Sequence, residues 1–200
     1  MIAQGALTKV RCAAACGLPD LWRLPITESA AHQQQLDWLA MTSNNTAGKV
    51  LRQWRRYSGN ALGRWLFART LCLRAPYFAT IRPSCLELRP ALCRVRMRNR
   101  HAVHNHIGTV HAIAMGNLCE LAAGLVTEVT IPQSMRWIPR GMTIEYLQRA
   151  ESDLIAVAHL DKNEWHGAQN VGVPVTVTDG QGQVVVRAVI TMYVSPRKSP

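Results

Sequence analysis

Apolar and polar positions are spaced differently in three successive stretches of the chain. Residues 1–46 have weak periodicity, scattered Ala, Gln, Pro and Thr, and end in the polar run Thr42-Ser43-Asn44-Asn45-Thr46. They read as an extension without a core of its own, and Met41 offers an alternative start. Residues 48–75 carry a helical period. At about 100° per residue, Val50, Leu51, Trp54, Tyr57, Ala61, Leu62, Trp65, Leu66 and Cys72 share half of the wheel. Lys49, Arg52, Arg56 and Arg64 lie opposite. This pattern predicts a basic amphipathic helix and link over 47–83, which Gly59 and Gly63 would kink or split and Pro76 and Pro83 would end.

From residue 84 to 198 the period changes to that of strands around one helix. Leu86–Arg89 and Cys93–Arg98 alternate with period two, so each has one buried and one wet face. Met142–Leu147 and Leu154–Leu160 read as strands joined by the polar turn Ala150-Glu151-Ser152-Asp153. Val173–Thr178 and Val184–Val194 form a hairpin around Asp179-Gly180-Gln181-Gly182. Between the second and third strands, His111–Thr127 has apolar residues on nearly all sides, so that helix must be buried. The expected architecture is α+β, an antiparallel sheet curled about one long helix.

Composition supports a packed core: 48% of the 200 residues are hydrophobic and 18% charged, which excludes wholesale disorder. No run of about 18 uncharged apolar residues, the length of a membrane span, occurs. The net charge of +11 points first to nucleic acid or an anionic surface. Its distribution changes that picture, because residues 49–100 hold thirteen Lys and Arg against one acid, Glu87. The remainder is near neutral. Aromatic residues of the basic stretch lie on its apolar side, which is poor for stacking bases, so nucleic acid is not expected as a partner. A helix with this charge and two tryptophans suits peripheral membrane contact through residues 48–75. The six cysteines form no CxxC pair, consistent with reduced thiols in a cytoplasmic protein. Lys9 and Arg11 ahead of Cys12-Ala-Ala-Ala-Cys16 only faintly resemble a targeting segment, because the apolar stretch is short.

The chemistry concentrates around the predicted buried helix. The preceding loop holds His101, His104, His106 and His111, but no pair has the i, i+4 spacing of a helical zinc motif, and acidic or cysteine partners are few. No metal is expected. Within the helix Ala112, Gly116, Cys119 and Ala123 form a stripe of small residues, which suits close approach of a second backbone. Glu120 lies at the edge of that stripe, and a carboxylate on a buried helix is either satisfied structurally or used.

The order Asn105, Gly108-Thr109, His111-Ala112 and Glu120 resembles the hotdog-fold acyl-CoA thioesterases, particularly the phenylacetyl-CoA thioesterase-like branch. In that branch an Asn or Gln stands six positions before the His of a His-Gly-Gly turn, and an Asp or Glu nine after it. Here Asn105 is six before His111 and Glu120 nine after. The wider stretch Asn105–Ala112, with Ile138-Pro-Arg-Gly-Met-Thr-Ile-Glu-Tyr-Leu147, is similar to an uncharacterised family of the superfamily whose members carry a basic, Trp-containing N-terminal helix. The likeness covers about residues 84–196.

The resemblance implies a hotdog fold with an added N-terminal amphipathic helix, and hydrolysis of an acyl-CoA thioester without cofactor or metal. The Ala112 N–H would polarise the thioester carbonyl, with His111 at the turn. Glu120 would attack the carbonyl or activate water, and Asn105 would orient water or the substrate oxygen. Gly108, Thr109, Ile113 and Asn117 would border the substrate, and Arg140 and Arg149 would hold coenzyme A phosphates. Thr109 and His111 also have plain roles open to them, as a capping hydroxyl and a loop-packing imidazole. Eight helical residues from Ala112 to Glu120 span about 12 Å, too far for one carbonyl, so the mechanism implies a homodimer with antiparallel helices. Pairing of dimers into tetramers stays open. Both glycines of the turn are replaced, by Ala112 and Ile113, which bears on substrate size. The alternative function is a non-catalytic acyl-chain or lipid-binding module docked on membranes.

Overall fold

A computed structural model describes residues 48–161 and 164–197. The extension expected over 1–46, with Met41 as an alternative start, lies outside the described residues. The elements are α1 (Lys49–Tyr57), α2 (Ala61–Arg74), a 3₁₀ turn (Pro76–Ile81), β1 (Ser84–Arg89), β2 (Leu92–Met97), a short 3₁₀ turn (His101–Val103), α3 (Ala112–Thr130), β3 (Met135–Tyr146), β4 (Leu154–His159), β5 (Gln169–Thr178) and β6 (Val184–Pro196).

The six strands form one sheet in the order β1-β2-β4-β5-β6-β3, every neighbouring pair antiparallel. Alternation puts Ala156, Ala158, Val171, Val173, Val175, Val177, Ile190 and Met192 on one buried face. That face curls round α3, which touches all six strands. Twelve of the nineteen residues of α3 are buried, as an all-round apolar helix requires. By length and composition α3 is apolar enough to cross a membrane, yet 67% of that window is buried inside the fold.

The hairpin between β5 and β6 forms at the predicted turn. Asp179 Oδ1 accepts from the N–H groups of Gln181 and Gln183, each at 2.9 Å, and Gly182 takes φ +81°, which a glycine adopts without strain.

Two sequence expectations need correction. First, the stretch predicted over 48–75 does split at Ser58-Gly59-Asn60, as Gly59 foreshadowed, but the single helical phase drawn across it does not hold. Asn60 is the new N-cap, its side chain accepting from Gly63 N–H at 2.7 Å. The break resets the helical phase. In α1 the predicted residues Leu51 and Trp54 are buried, but in α2 the buried residues are Gly63, Phe67, Ala68 and Cys72. Leu62, Trp65 and Leu66, expected inside, face outward at 66%, 56% and 38% exposure. Trp54 meets Phe67 edge-on, with ring centroids 5.1 Å apart, and this contact joins the two helices over the shared core.

Second, β3 begins at Met135 and not at Met142. Pro139 reads as a breaker in sequence, but β3 is an edge strand, where a missing N–H is tolerated. A bulge between Pro139 and Gly141 inserts Arg140 and reverses the alternation. Trp137 therefore faces α3 before the bulge, and Met142, Ile144 and Tyr146 face it afterwards.

Candidate active site

The start of α3 is built by the loop before it. Asn105 closes a tight turn: its Oδ1 accepts from the N–H groups of Ile107 and Thr109, both at 3.1 Å, and its Nδ2 donates to Thr109 Oγ1 at 2.8 Å. Gly108 sits in this turn at φ +81°, where any side chain would be strained. His104 and Val110 form an isolated antiparallel bridge across it. Val110 N–H donates to the Ala150 carbonyl, and His111 N–H to the Val103 carbonyl, both at 2.8 Å. His104 Nε2 lies 2.5 Å from Asn99 Oδ1, while Asn99 donates to Asp153 and Glu151. These bonds pin the loop to the segment after β3.

His111 is the N-cap of α3. Its backbone is extended and its Nδ1 accepts from Ile113 N–H at 3.1 Å. Thr109, for which a capping role stood open in the sequence, is buried and serves as acceptor for Asn105. Among the described residues no acceptor lies on the Ala112 N–H, so this donor stands at the helix opening with the positive end of the macrodipole behind it. Ile113 projects beside it at 61% exposure.

Glu120 is half-buried and has no hydrogen-bond or ion-pair partner among the described residues. At 1.5 Å per residue it lies about 12 Å along α3 from Ala112, on nearly the same angular face as Ile113. A single chain therefore does not bring Glu120 and the Ala112 N–H together.

The remaining predicted residues divide. Asn117 is buried, its Nδ2 donating to Thr80 Oγ1 of the 3₁₀ turn at 3.2 Å, while its Oδ1 is buried without a protein partner. Arg149 is exposed, next to the residue whose carbonyl holds Val110. Arg140 is not gathered with the helix: the bulge turns it to the outer face, where it approaches Asn170 at 3.4 Å and lies over the Tyr193 ring at 5.6 Å. The small-residue stripe does meet a second element, and that element belongs to the same chain. Cys119 and Ala123 are fully buried in the chain alone, and Gly116 lies under Met142, Ile144 and Tyr146, so the stripe admits the chain's own strand β3.

Three participants escaped the sequence reading. Tyr146 donates to the Ala112 carbonyl at 3.1 Å and so steadies the first turn of α3. Burial, with a smaller contribution from Cys119, pushes its hydroxyl above the usual tyrosine range. Thr80 receives Asn117 and also Arg100, which donates to its carbonyl. Burial and then the neighbouring Arg82 lower the Arg100 pKa. Strand alternation at Tyr146 was a usable signal; nothing local pointed to Thr80 or Arg100.

Among the described residues no three His, Cys, Asp or Glu side chains gather as a metal site. An open groove of about 340 Å³ runs between α1 and β1, lined by Leu51, Trp54 and Leu86 among others, and includes none of the predicted site residues.

Comparison with known proteins places this geometry. Residues 63–194 match the family described as a domain of unknown function, DUF4442. No curated protein matches the sequence. A structural-genomics crystal structure is 43% identical, covering 75% of this chain and all of its own, with a TM-score of 0.67. A Pseudomonas aeruginosa protein of unknown function, described as a probable thioesterase, is 23% identical over 65% of this chain and 94% of its own, at TM-score 0.59. A Haemophilus influenzae thioesterase is 13% identical over 64% of this chain and 87% of its own, at TM-score 0.56. These likenesses, with the sheet wrapped on α3, make the fold a hotdog. The chain belongs to the DUF4442 family.

Proposed function

We propose that the protein is a homodimeric acyl-CoA thioesterase whose sites combine the Ala112 N–H of one subunit with Glu120 of the other. One observation carries this reading: a partnerless half-buried carboxylate and an open helix N-terminus lie on the same exposed side of α3. They are too far apart to serve one carbonyl within a chain. A two-fold axis between antiparallel copies of α3 brings them together twice. β3 supports this arrangement, being a twelve-residue edge strand with Ile138, Met142 and Tyr146 exposed at 60%, 41% and 43%. Unpaired edges of that length are templates for a second copy. The solved thioesterase structures that share the fold point to the same chemistry.

In the reaction, the thioester oxygen accepts a hydrogen bond from the Ala112 N–H, and Glu120 takes a proton from water as its oxygen attacks the carbonyl carbon. The carbon–sulfur bond then breaks, and the thiolate of coenzyme A recovers the proton from Glu120. Neither step needs a cofactor. In this reading the exposed Arg149 meets the coenzyme A phosphates, and the exposed Ile113 limits the acyl group at the entrance.

The test is hydrolysis of a panel of acyl-CoAs of varied chain length, aliphatic and aromatic, by the wild type and Glu120→Ala. The expected result is hydrolysis that falls at least about a hundredfold in the variant. Binding of acyl-CoA without turnover by the wild type would replace this reading with that of an acyl-binding module.

A further inference from the structure

We infer that the outward face of α2 docks the protein onto an anionic phospholipid bilayer. α2 carries large apolar side chains on two sides but buries only one of them. Phe67, Ala68 and Cys72 enter the core, whereas Leu62, Trp65 and Leu73 stand at 66%, 56% and 79% exposure. Leu66 lies on the same face, and Tyr77 at 65% exposure continues it into the 3₁₀ turn. A contiguous exposed patch of large apolar side chains marks an interaction surface, so this second face lacks its apolar environment.

The surrounding charge selects the occupant. Residues 49–82 contain eight Lys and Arg and no acid. Arg69 lies within the apolar face, its guanidinium 5.8 Å from the centre of the Trp65 ring, and Arg55, Arg56 and Arg74 are exposed nearby in sequence. Large apolar side chains interleaved with long cations are the composition of interfacial helices, whose apolar groups enter the acyl boundary while Arg reaches the phosphates. A protein groove would need acids facing Arg69; a bilayer of anionic lipid supplies them at any register. The face leads toward the candidate site, because Thr80 at the end of the 3₁₀ turn receives Asn117 of α3. Docking does not depend on hydrolysis, so the two readings fail separately.

The test is co-sedimentation of the full-length protein with vesicles of phosphatidylglycerol and phosphatidylcholine, beside vesicles of phosphatidylcholine alone. Turnover of a soluble short-chain acyl-CoA is followed in parallel. The expected result is binding to the anionic vesicles that falls roughly tenfold or more in Leu62→Gln/Trp65→Gln/Leu73→Gln, with thermal unfolding and turnover unchanged. Brominated lipid should quench the wild type more than Trp65→Phe, a readout that needs no destabilising change. Three results would overturn the proposal: no binding to anionic vesicles, binding equal in the triple variant, or an oligomer in vesicle-free solution that the triple variant dissociates. Shielding of Trp65 from aqueous acrylamide that disappears on deleting residues 1–47 would also overturn it, by assigning the face to the N-terminal segment. Vesicle binding with no turnover would leave docking standing and remove the thioesterase.

Discussion

In the proposed reaction Ala112 would donate through its backbone, so its side chain is not the test; its N–H is. Proline removes that N–H, fits the first position of a helix, and requires an extended preceding residue. His111 already has φ −66° and ψ 137°. Ala112→Pro is therefore expected to lower kcat about 100- to 1,000-fold while leaving the unfolding temperature nearly unchanged, measured by steady-state turnover and calorimetry. Cys119 is a different kind of residue. Burial pushes its thiol up to about 12, and it is fully enclosed by the sheet, so it should resist alkylation at neutral pH until the protein unfolds. Mass spectrometry after iodoacetamide, with and without denaturant, reads this directly. Rapid labelling of Cys119 in the native protein would mean that the packing between α3 and β3 opens.

The turn between α1 and α2 and the close approach of α3 to β3 are governed by glycines. A Cβ on Gly63 would collide with the Tyr57 carbonyl oxygen, a backbone atom that cannot move aside without shifting α1. Gly63→Ala is expected to destabilise by at least about 1–3 kcal/mol. Asn60→Ala, which removes only the cap, should cost about 1 kcal/mol. Denaturant unfolding compares the two, and equal effects would refute the steric account. At the other end of the fold, a Cβ on Gly124 would lie 2.9 Å from the Trp137 ring, which is fixed by a 2.7 Å bond from its indole N–H to Glu128. The stripe of small residues was visible in the sequence, but which backbone it admits was not. Contact preference alone does not distinguish a strand of the same chain from a helix of a second one.

For the whole molecule, the proposed sharing of sites between subunits makes a prediction that separate sites cannot satisfy. Mixing Glu120→Ala with Ala112→Pro subunits should restore about a quarter of wild-type activity, because half of randomly mixed dimers contain one intact site out of two. No recovery after unfolding and co-refolding would remove the two-subunit mechanism. The fold also carries a response to acid. Burial, assisted by Arg89 and opposed by Asp161 and Glu87, holds His159 below the usual histidine range. The folded state then binds fewer protons than the unfolded chain, so this stabilising contribution is present above the unfolded pKa of about 6.5 and is lost as pH falls through it toward the folded value. Thermal unfolding between about pH 7 and 5 should show a decline that His159→Gln reduces.

Local sequence determined the elements that depend on local pattern: periodicity the buried helix and the alternating strands apart from the first half of β3, and turn residues the hairpin at Asp179. The spacing of Asn105, His111 and Glu120 likewise marked the loop, the helix opening and the carboxylate, because a motif records its own sequence distances. Tertiary structure decided what those distances cannot encode. The break at Gly59 rephased α2 and turned Trp65 from core to surface, a change that a single wheel drawn across the break cannot represent. Arg140 went to the outer face because one bulged residue reverses alternation in a strand, and Pro139 was admitted because β3 lies at the edge. Register, edge position and helix phase are relations between segments, and each is fixed only when the segments pack against α3.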